Sequence, residues 1–237
     1  HRDVYLYATP KTFVRDHYIT STLNTSYTGG SMNVALEVDN RTAVAASKSI
    51  EAELIAPDGT VVATNNVNVE LAEGETVANC DILFSDLTGL QAWTAETPDL
   101  YTVVVRQKDA AGNEEMVFST KYGFRHIEIR NGVVRINGQR VFFKGVNTQD
   151  THPLYGRAID VPTMLKDVEM MKQSNMNIVR TSHYPRQAKM YAMFDYFGLW
   201  CMDEADLEDH ANQSISDMVT WIPSFVDRID RMILRDR

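Results

Sequence analysis

The hydrophobic periodicity changes partway along the chain, and this change constrains the fold more than any other feature. Up to about residue 123, apolar and polar residues alternate with a period of two, as in "SMNVALEVDN", "SIEAELIA" and "YTVVVRQ". After Asn147, continuous apolar runs such as "MNIV" alternate with helical repeats such as "VPTMLKDVEMMKQSN". Alternation is typical of half-buried antiparallel strands, whereas buried runs separated by helices are typical of a parallel sheet. The sequence therefore predicts two domains of different architecture.

Residues 1–123 are predicted to form an immunoglobulin-like β-sandwich. Short strands with alternating faces are separated by turn sequences such as 57–59 (Pro-Asp-Gly) and 73–75 (Glu-Gly-Glu). Two Asn-Gly pairs follow, at 131–132 and 137–138, each between alternating runs. Asn-Gly is the strongest short hairpin sequence, so we expect two hairpin turns there.

Residues 124–237 are predicted to form the first three βα units of a (β/α)8 TIM barrel. Met164, Val168 and Met171 fall on one helical stripe, Pro162 suits a first helical turn, and Gly198 suits a helix end. The methionines at 164, 170 and 171 are all interpreted as core. The predicted fold class is therefore multi-domain, β plus α/β.

Charge and composition exclude some classes of partner. The 237 residues carry a net charge of -9, and nucleic acids and anionic membranes both recruit basic patches. No apolar run approaches the ~20 residues needed to cross a bilayer. We therefore expect neither partner. Two distant cysteines do not indicate a disulfide, so the compartment, cytoplasmic or periplasmic, is left open.

Ionisable side chains follow each of the three predicted barrel strands. In a (β/α)8 barrel the carboxyl ends of the strands carry the reactive groups, so these clusters predict an active face. The clusters are Asn147, Gln149, Asp150 and His152; then Arg180, Ser182, His183 and Tyr184; then Asp203, Glu204, Asp206, Glu208, Asp209 and His210.

Each cluster also has a purely structural interpretation. His183 could bond a loop carbonyl, and Arg180, following an apolar run, must be paired if it is buried. Glu208 and His210, two residues apart, suit a hard divalent ion such as Mg²⁺, although a solvated acidic loop is the commoner outcome. Asp203 and Glu204 cannot form the facing carboxylate pair of a hydrolase, because adjacent strand residues point to opposite sides.

Several longer stretches resemble glycoside hydrolase family 2, and within it the large β-galactosidases. They are "GFRHIEIRNGVVRINGQRVFFKGVNTQDTHPLYG", "MLKDVEMMKQSNMNIVRTSHYP", "FDYFGLWCMDEADLEDH" and "RMILRDR". "SHYP" followed by "DEA" is shared with β-glucuronidases, whereas "DEADLEDH" is closer to the β-galactosidase form. "WTAETPDLYTVVV" resembles the family's linking sandwich, and "RDVYL" resembles the end of the preceding sugar-binding domain.

The resemblance implies retaining hydrolysis by two glutamates, which would lie ~5–5.5 Å apart. Both would lie beyond Arg237, so the fragment by itself is expected to be inactive. His183 resembles the histidine that contacts the sugar, and Arg180 the arginine that orients the nucleophile. Glu208 and His210 resemble two Mg²⁺ ligands, the third being the absent acid/base. Asn147 falls in the same substrate-binding set, and Gln149 stands where the family commonly has a histidine that contacts the substrate.

The resemblance thus implies an enzyme that removes terminal β-D-galactose, with a β-galactoside and the remaining domains of a longer chain as partners. We also expect a homo-oligomer, and a three-eighths barrel that is covered by another chain, rearranged or prone to aggregate. One alternative is a β-glucuronidase or β-mannosidase of the same family. Another is a non-catalytic sandwich module used for binding or spacing, which would leave residues 124–237 unexplained.

Overall fold

The computed structural model describes residues 2–74 and 76–236. Three positions named in the predictions lie outside these residues: the domain limits at 1 and 237, and residue 75 of the turn predicted at 73–75. The chain forms two compact units. The first consists of Tyr5–Thr94 and Asp99–Val141, and the second of the residues up to Val4, Ala95–Pro98 and the chain from Phe142 onward.

The first unit is a sandwich of two antiparallel sheets, as predicted. One sheet has the order β1-β2-β5, where the strands are β1 (Thr12–Leu23), β2 (Gly29–Asn40) and β5 (Thr76–Thr88). The other has the order β4-β3-β6-β7, where the strands are β3 (Ala46–Ile55), β4 (Val61–Leu71), β6 (Tyr101–Lys108) and β7 (Glu114–Tyr122). Antiparallel strands in two sheets of three and four strands are typical of an immunoglobulin-like domain.

Alternation along the strands builds the sandwich core. Every second residue of β6 is buried, and these residues are Tyr101, Val103, Val105 and Gln107. Phe124 is fully buried and packs edge-on against Tyr101 and Tyr122, with ring centroids 4.9 and 5.2 Å away. The inward-facing residues of both sheets therefore share one apolar cluster.

A small sheet follows the sandwich strands and contains both predicted hairpins. Its strands are β8 (Ile127–Arg130), β9 (Val133–Ile136) and β10 (Gln139–Arg140). The connections are the two Asn-Gly pairs, and φ is 53° and 72° at Asn131 and Gly132 and 49° and 74° at Asn137 and Gly138. These left-handed conformations are what a two-residue hairpin turn requires.

The small sheet belongs to the first unit, which therefore continues past residue 123 to Val141. The Asn137 side-chain amide donates to the Trp93 carbonyl at 3.1 Å, and its oxygen accepts from the His126 amide at 2.9 Å. The side chain of a turn residue thus ties the hairpins to the sandwich, a contact that local sequence patterns do not predict.

The second unit contains three parallel strands in the order β11-β12-β13. They are β11 (Gly145–Thr148), β12 (Ile178–Thr181) and β13 (Trp200–Met202), and they are joined by the helices α1 (Val161–Gln173) and α2 (Ala188–Phe197). A third helix, α3 (Ile222–Asp236), follows β13. Sequential, adjacent parallel strands connected by helices form the start of a (β/α)8 barrel, which confirms the predicted fold class.

The sequence features that predicted the helix limits are present in the structure. The Asp160 carboxylate accepts a hydrogen bond from the Thr163 amide at 3.0 Å and caps α1, and Pro162 lies in its first turn. Gly198 ends α2 with φ of 78°, and a Cβ there would lie 2.3 Å from the Ala95 carbonyl oxygen. Only glycine fits this position without strain.

The predicted helical stripe forms most of the core of the second unit. Met164, Val168 and Met171 are buried against the second helix. The interpretation of Met170 as core is wrong, because it is 55% exposed: it precedes Met171 by one residue and so faces about 100° away. Along α3 no side chain of the described residues is buried, including Ile229 and Ile233.

Both cysteines are free thiols. Among the described residues, no helix has the length and apolar character needed to span a bilayer.

Candidate functional site

Four polar side chains meet at the carboxyl ends of the three parallel strands, and we call them the strand-end cluster: Asn147, Arg180, His183 and Glu204. Parallel pairing places Asn147 beside Arg180, and Arg180 beside Met202, so that residues following the strands emerge along one edge. This is the edge at which α/β barrels place their functional groups.

Glu204 is the centre of the strand-end cluster. One of its carboxylate oxygens accepts a hydrogen bond from Arg180 Nε, and the other lies 2.8 Å from His183 Nδ1. The terminal nitrogens of Arg180 make two longer contacts, to Asn147 Oδ1 at 3.3 Å and to His183 Nδ1 at 3.3 Å. The arginine is therefore paired, as its position after an apolar run predicts, and its partner is a carboxylate of the next strand exit.

His183 lies between two carboxylates. Its Nε2 is 3.5 Å from Glu208 Oε2, on the opposite side of the ring from Glu204. The His183 side chain is 33% exposed and that of Glu208 is 50% exposed. A ligand at this edge can therefore reach the imidazole. When Nδ1–H donates to Glu204, Nε2 of the neutral ring is free to accept a hydrogen bond from the ligand.

Asp203 points away from this cluster. Its Oδ1 accepts hydrogen bonds from Thr181 Oγ1 at 2.7 Å and from the Tyr191 hydroxyl at 2.6 Å. Burial, and then the bond to Asp203, raises the pKa of Tyr191 above its ordinary value, so this hydroxyl remains a donor. Asp203 and Glu204 thus face opposite sides, as adjacent residues leaving a strand must.

An open cavity of about 460 Å³ adjoins the strand-end cluster. Its floor combines apolar side chains with the polar groups of Asn147 and Arg180. The lining residues are Phe143, Gly145, Val146, Asn147, Ile178, Arg180 and Met202. A mostly apolar concavity with a few convergent polar groups is the usual form of a small-molecule site.

The structure places the remaining predicted site residues at the margin. Gln149 and His210 are exposed, and neither side chain joins the hydrogen bonds of the strand-end cluster. Within residues 2–74 and 76–236, no three His, Cys, Asp or Glu side chains are grouped as a metal ion requires. The magnesium site predicted at Glu208 and His210 stays a prediction.

The sequence did not predict two features of this edge. Local sequence excludes Glu204 from a facing carboxylate pair with Asp203, but it does not predict that Glu204 is the partner of Arg180 and His183. Asp150 and Arg186 form a buried ion pair 3.0 Å long, and both side chains are almost inaccessible. Arg186 lies just before α2, at a position where a charged residue is usually exposed. Local sequence therefore does not indicate that Arg186 is buried or that Asp150 is its partner.

Comparison with protein families identifies the class. The sequence model described as "Glycosyl hydrolases family 2" matches residues 12–125, and the one described as "Glycosyl hydrolases family 2, TIM barrel domain" matches residues 127–237. The chain belongs to glycosyl hydrolase family 2.

Curated relatives named "Beta-galactosidase" align with the whole chain. That of Photobacterium profundum is 31% identical over 242 residues, and that of Priestia megaterium is 33% identical over 251 residues. In both comparisons 100% of this chain is covered, but only 23% and 24% of the relative. The chain thus spans about a quarter of the length of these relatives.

Solved structures show the same fold at low sequence identity. A family 2 member from Bacteroides cellulosilyticus matches with a TM-score of 0.80 and 21% identity, covering 97% of this chain and 31% of that one. A β-glucuronidase from Bacteroides uniformis matches with a TM-score of 0.76 and 20% identity, covering 82% and 24% of the two chains.

Proposed function

We propose that this chain is part of a β-galactosidase that hydrolyses terminal, non-reducing β-D-galactose with retention of configuration. The observation that carries the proposal is the alignment of curated β-galactosidases with all of this chain at 31% and 33% identity. The strand-end cluster supports it, because an imidazole and a guanidinium lie side by side at this edge and the guanidinium residue, Arg180, also lines the open cavity.

In the proposed site His183 contacts a sugar hydroxyl through Nε2. Glu204 accepts a hydrogen bond from Nδ1 at 2.8 Å, which fixes the ring, and Nε2 of the neutral ring can then accept a hydrogen bond from that hydroxyl. Arg180 lines the cavity, and its Nε is bonded to Glu204, which leaves its two terminal nitrogens for other partners. Their contacts with Asn147 and His183 are long at 3.3 Å, and a carboxylate brought by another part of the protein can replace them.

Retaining hydrolysis requires two carboxylates ~5–5.5 Å apart, one as nucleophile and one as acid/base. Glu204 is engaged by Arg180 and His183, and Asp203 by Thr181 and Tyr191. We therefore assign neither to these roles. We propose that both catalytic carboxylates come from parts of the protein outside these residues and that residues 1–237 alone do not turn over substrate.

Magnesium binding remains part of the proposal. Glu208 and His210 offer a carboxylate and an imidazole on an exposed segment, and a further ligand must come from elsewhere in the protein. Titration of metal-free full-length protein with MgCl2 tests this, and Glu208→Gln is expected to weaken binding at least tenfold. Asp217→Asn, an exposed acid outside the cluster, is the matched control.

A substrate panel tests the proposed specificity. The full-length protein is assayed with the nitrophenyl β-D-galactoside, β-D-glucuronide and β-D-mannoside. We expect the galactoside to have the largest kcat/KM by at least a hundredfold. A preference for the glucuronide would support the alternative that the structural similarity to β-glucuronidases favours. No hydrolysis of any of the three would argue against the proposed activity.

A further inference from the structure

A buried carboxylate lies between two guanidinium groups behind the candidate site. Asp150 Oδ1 is 3.0 Å from Arg186 Nη1, and Asp150 Oδ2 is 2.5 Å from Arg2 Nη1. The Asp150 and Arg186 side chains are 2% and 1% exposed, and that of Arg2 is 31% exposed. We call Arg2, Asp150 and Arg186 the Asp150 triad. Its members come from three distant parts of the chain.

Stability alone does not explain the Asp150 triad. Removing charges from water is costly, and replacing a buried ion pair with apolar residues is often neutral or stabilising. We therefore ask which groups the triad holds in place. These groups belong to one short segment.

That segment is 182–186, the exit of the second barrel strand. Arg2 Nη2 donates to the Pro185 carbonyl at 2.9 Å, and the Asp150 amide donates to the Tyr184 hydroxyl at 3.0 Å. The Arg186 guanidinium lies 5.0 Å from the centroid of the Tyr184 ring. Each member of the triad thus contacts this segment or belongs to it.

The same groups join the segment to the first barrel strand through Thr148. Arg186 Nη2 donates to Thr148 Oγ1 at 2.9 Å, and that hydroxyl donates to the Arg180 carbonyl at 3.3 Å. Ser182 Oγ donates to the Thr148 carbonyl at 3.0 Å. Within 182–186, Ser182, Tyr184, Pro185 and Arg186 are therefore anchored on this side, while His183 directs its ring to Glu204.

We propose that the Asp150 triad is a positioning device that fixes the backbone on both sides of His183 and so sets where its imidazole meets the substrate. The role of His183 rests on the proposed function. Arg2 is the informative member, because it is partly exposed and holds the Pro185 carbonyl directly. A segment that precedes the sandwich in sequence thereby becomes part of the substrate site.

The test uses the full-length protein with Arg2→Gln and Asp150→Asn, and with Arg2→Lys as the conservative rescue. Lys48→Gln is the matched control, because Lys48 forms a comparably buried ion pair with Glu115 at 2.7 Å in the sandwich. Two quantities are measured: kcat and KM for the nitrophenyl β-D-galactoside, corrected for the folded fraction, and amide hydrogen exchange of peptides covering 182–187.

We expect Arg2→Gln to lower kcat by roughly 10- to 100-fold with a smaller change in KM, since displacements of about 1 Å can cost two orders of magnitude. Exchange in 182–187 should accelerate at least tenfold, Arg2→Lys should recover part of both losses, and Lys48→Gln should change neither. If Asp150→Asn fails to fold, the two Arg2 variants decide.

Unchanged exchange in 182–187 and unchanged kcat in Arg2→Gln would overturn the positioning role, as would losses equal to those of Lys48→Gln. If the full-length protein hydrolyses none of the glycosides, the proposed function fails. The exchange measurement still decides whether the triad fixes this segment.

Discussion

His183 Nδ1 lies 2.8 Å from Glu204 Oε2, while the other oxygen of the same carboxylate accepts a hydrogen bond from Arg180 Nε. One carboxylate therefore orients two residues, one in β12 and one just after it. The Glu204 side chain is 24% exposed, so the network is neither fully solvated nor fully buried. Its contribution to the free energy of unfolding is modest, so we expect a substitution in it to change activity more than stability.

Removing the charge of Glu204 should impair catalysis more than folding. Glu204→Gln keeps the shape but weakens the bonds that hold Arg180 and His183. We expect kcat of the full-length protein to fall roughly 10- to 100-fold, because hydrogen bonds to charged groups contribute about 1.5–3 kcal/mol. Asp206→Asn, which removes an exposed acid paired with Arg228, is the control and should leave kcat within twofold. Equal effects of the two substitutions would contradict this role for Glu204.

Asp236 should make the stability of the second unit depend on pH. Burial, and then the hydrogen bond with the Asp203 carboxyl, raises the pKa of Asp236 to about 6, against the opposing effect of Arg235. The folded protein therefore binds this proton more tightly than the unfolded chain does. Asp236 contributes stability that is fully present below about pH 4 and is lost as the pH rises through 6.

Carbon-13 titration of the Asp236 carboxyl measures this pKa directly. Asp203→Asn keeps an oxygen for Thr181 and Tyr191 but removes the neighbouring acid, so it should lower the midpoint by about one unit. Asp227→Asn, an exposed acid of the same helix paired with Arg231, should leave the midpoint unchanged. An Asp236 midpoint near 4 in the unsubstituted protein would contradict both the burial of this carboxyl and its interaction with Asp203.

Gly145 is required where the first two barrel strands pair. A Cβ at this position would lie 1.8 Å from the Ile178 carbonyl oxygen. Gly145→Ala should therefore separate the strands and destabilise the second unit by about 2–4 kcal/mol, visible as a lower Tm. Gly156→Ala is the control: a Cβ there has nothing within 4 Å, although φ is +62°. It should cost only about 1–2 kcal/mol. A Tm for Gly145→Ala equal to that of the control would mean that the strand spacing adjusts.

Phe124 should dominate the stability of the sandwich. It is 0% exposed and makes edge-on contacts with two tyrosines. Phe124→Ala should cost about 3–5 kcal/mol, since it leaves a cavity in a packed core. Val117→Ala, at a position 45% exposed, should cost less than about 1 kcal/mol. Urea unfolding followed by near-ultraviolet circular dichroism compares the two, and similar midpoints would contradict the packing described.

The fold was predictable because its determinants are local. The period-two strands, the two Asn-Gly turns, the stripe of Met164, Val168 and Met171, and the glycine end at Gly198 all operate within a few residues. Met170 shows the limit of this reasoning. Composition marks a methionine-rich helix as core, but a shift of one residue rotates a side chain by about 100°.

The site was predictable in location but not in its connections. The rule that barrel chemistry gathers at the carboxyl ends of strands predicted that Arg180 and His183 lie at one edge, where they are 3.3 Å apart, and their roles there stay predictions. The pairing of Arg180 with Glu204 and of Arg2 with Asp150 joins residues far apart in sequence. Neither periodicity nor a motif predicts such contacts, because they depend on which distant segments come together in the folded unit.

The most direct test of the account is the affinity of a galactose-configured iminosugar for the full-length protein and for His183→Ala, measured by calorimetry. Loss of one hydrogen bond to a charged ligand should weaken binding by roughly 10- to 100-fold. The control, His126→Ala, removes an exposed histidine that stacks on Tyr27 in the sandwich, and it should bind as the unsubstituted protein does. Equal affinities of His183→Ala and the unsubstituted protein would show that the sugar does not bind at the ends of these three strands.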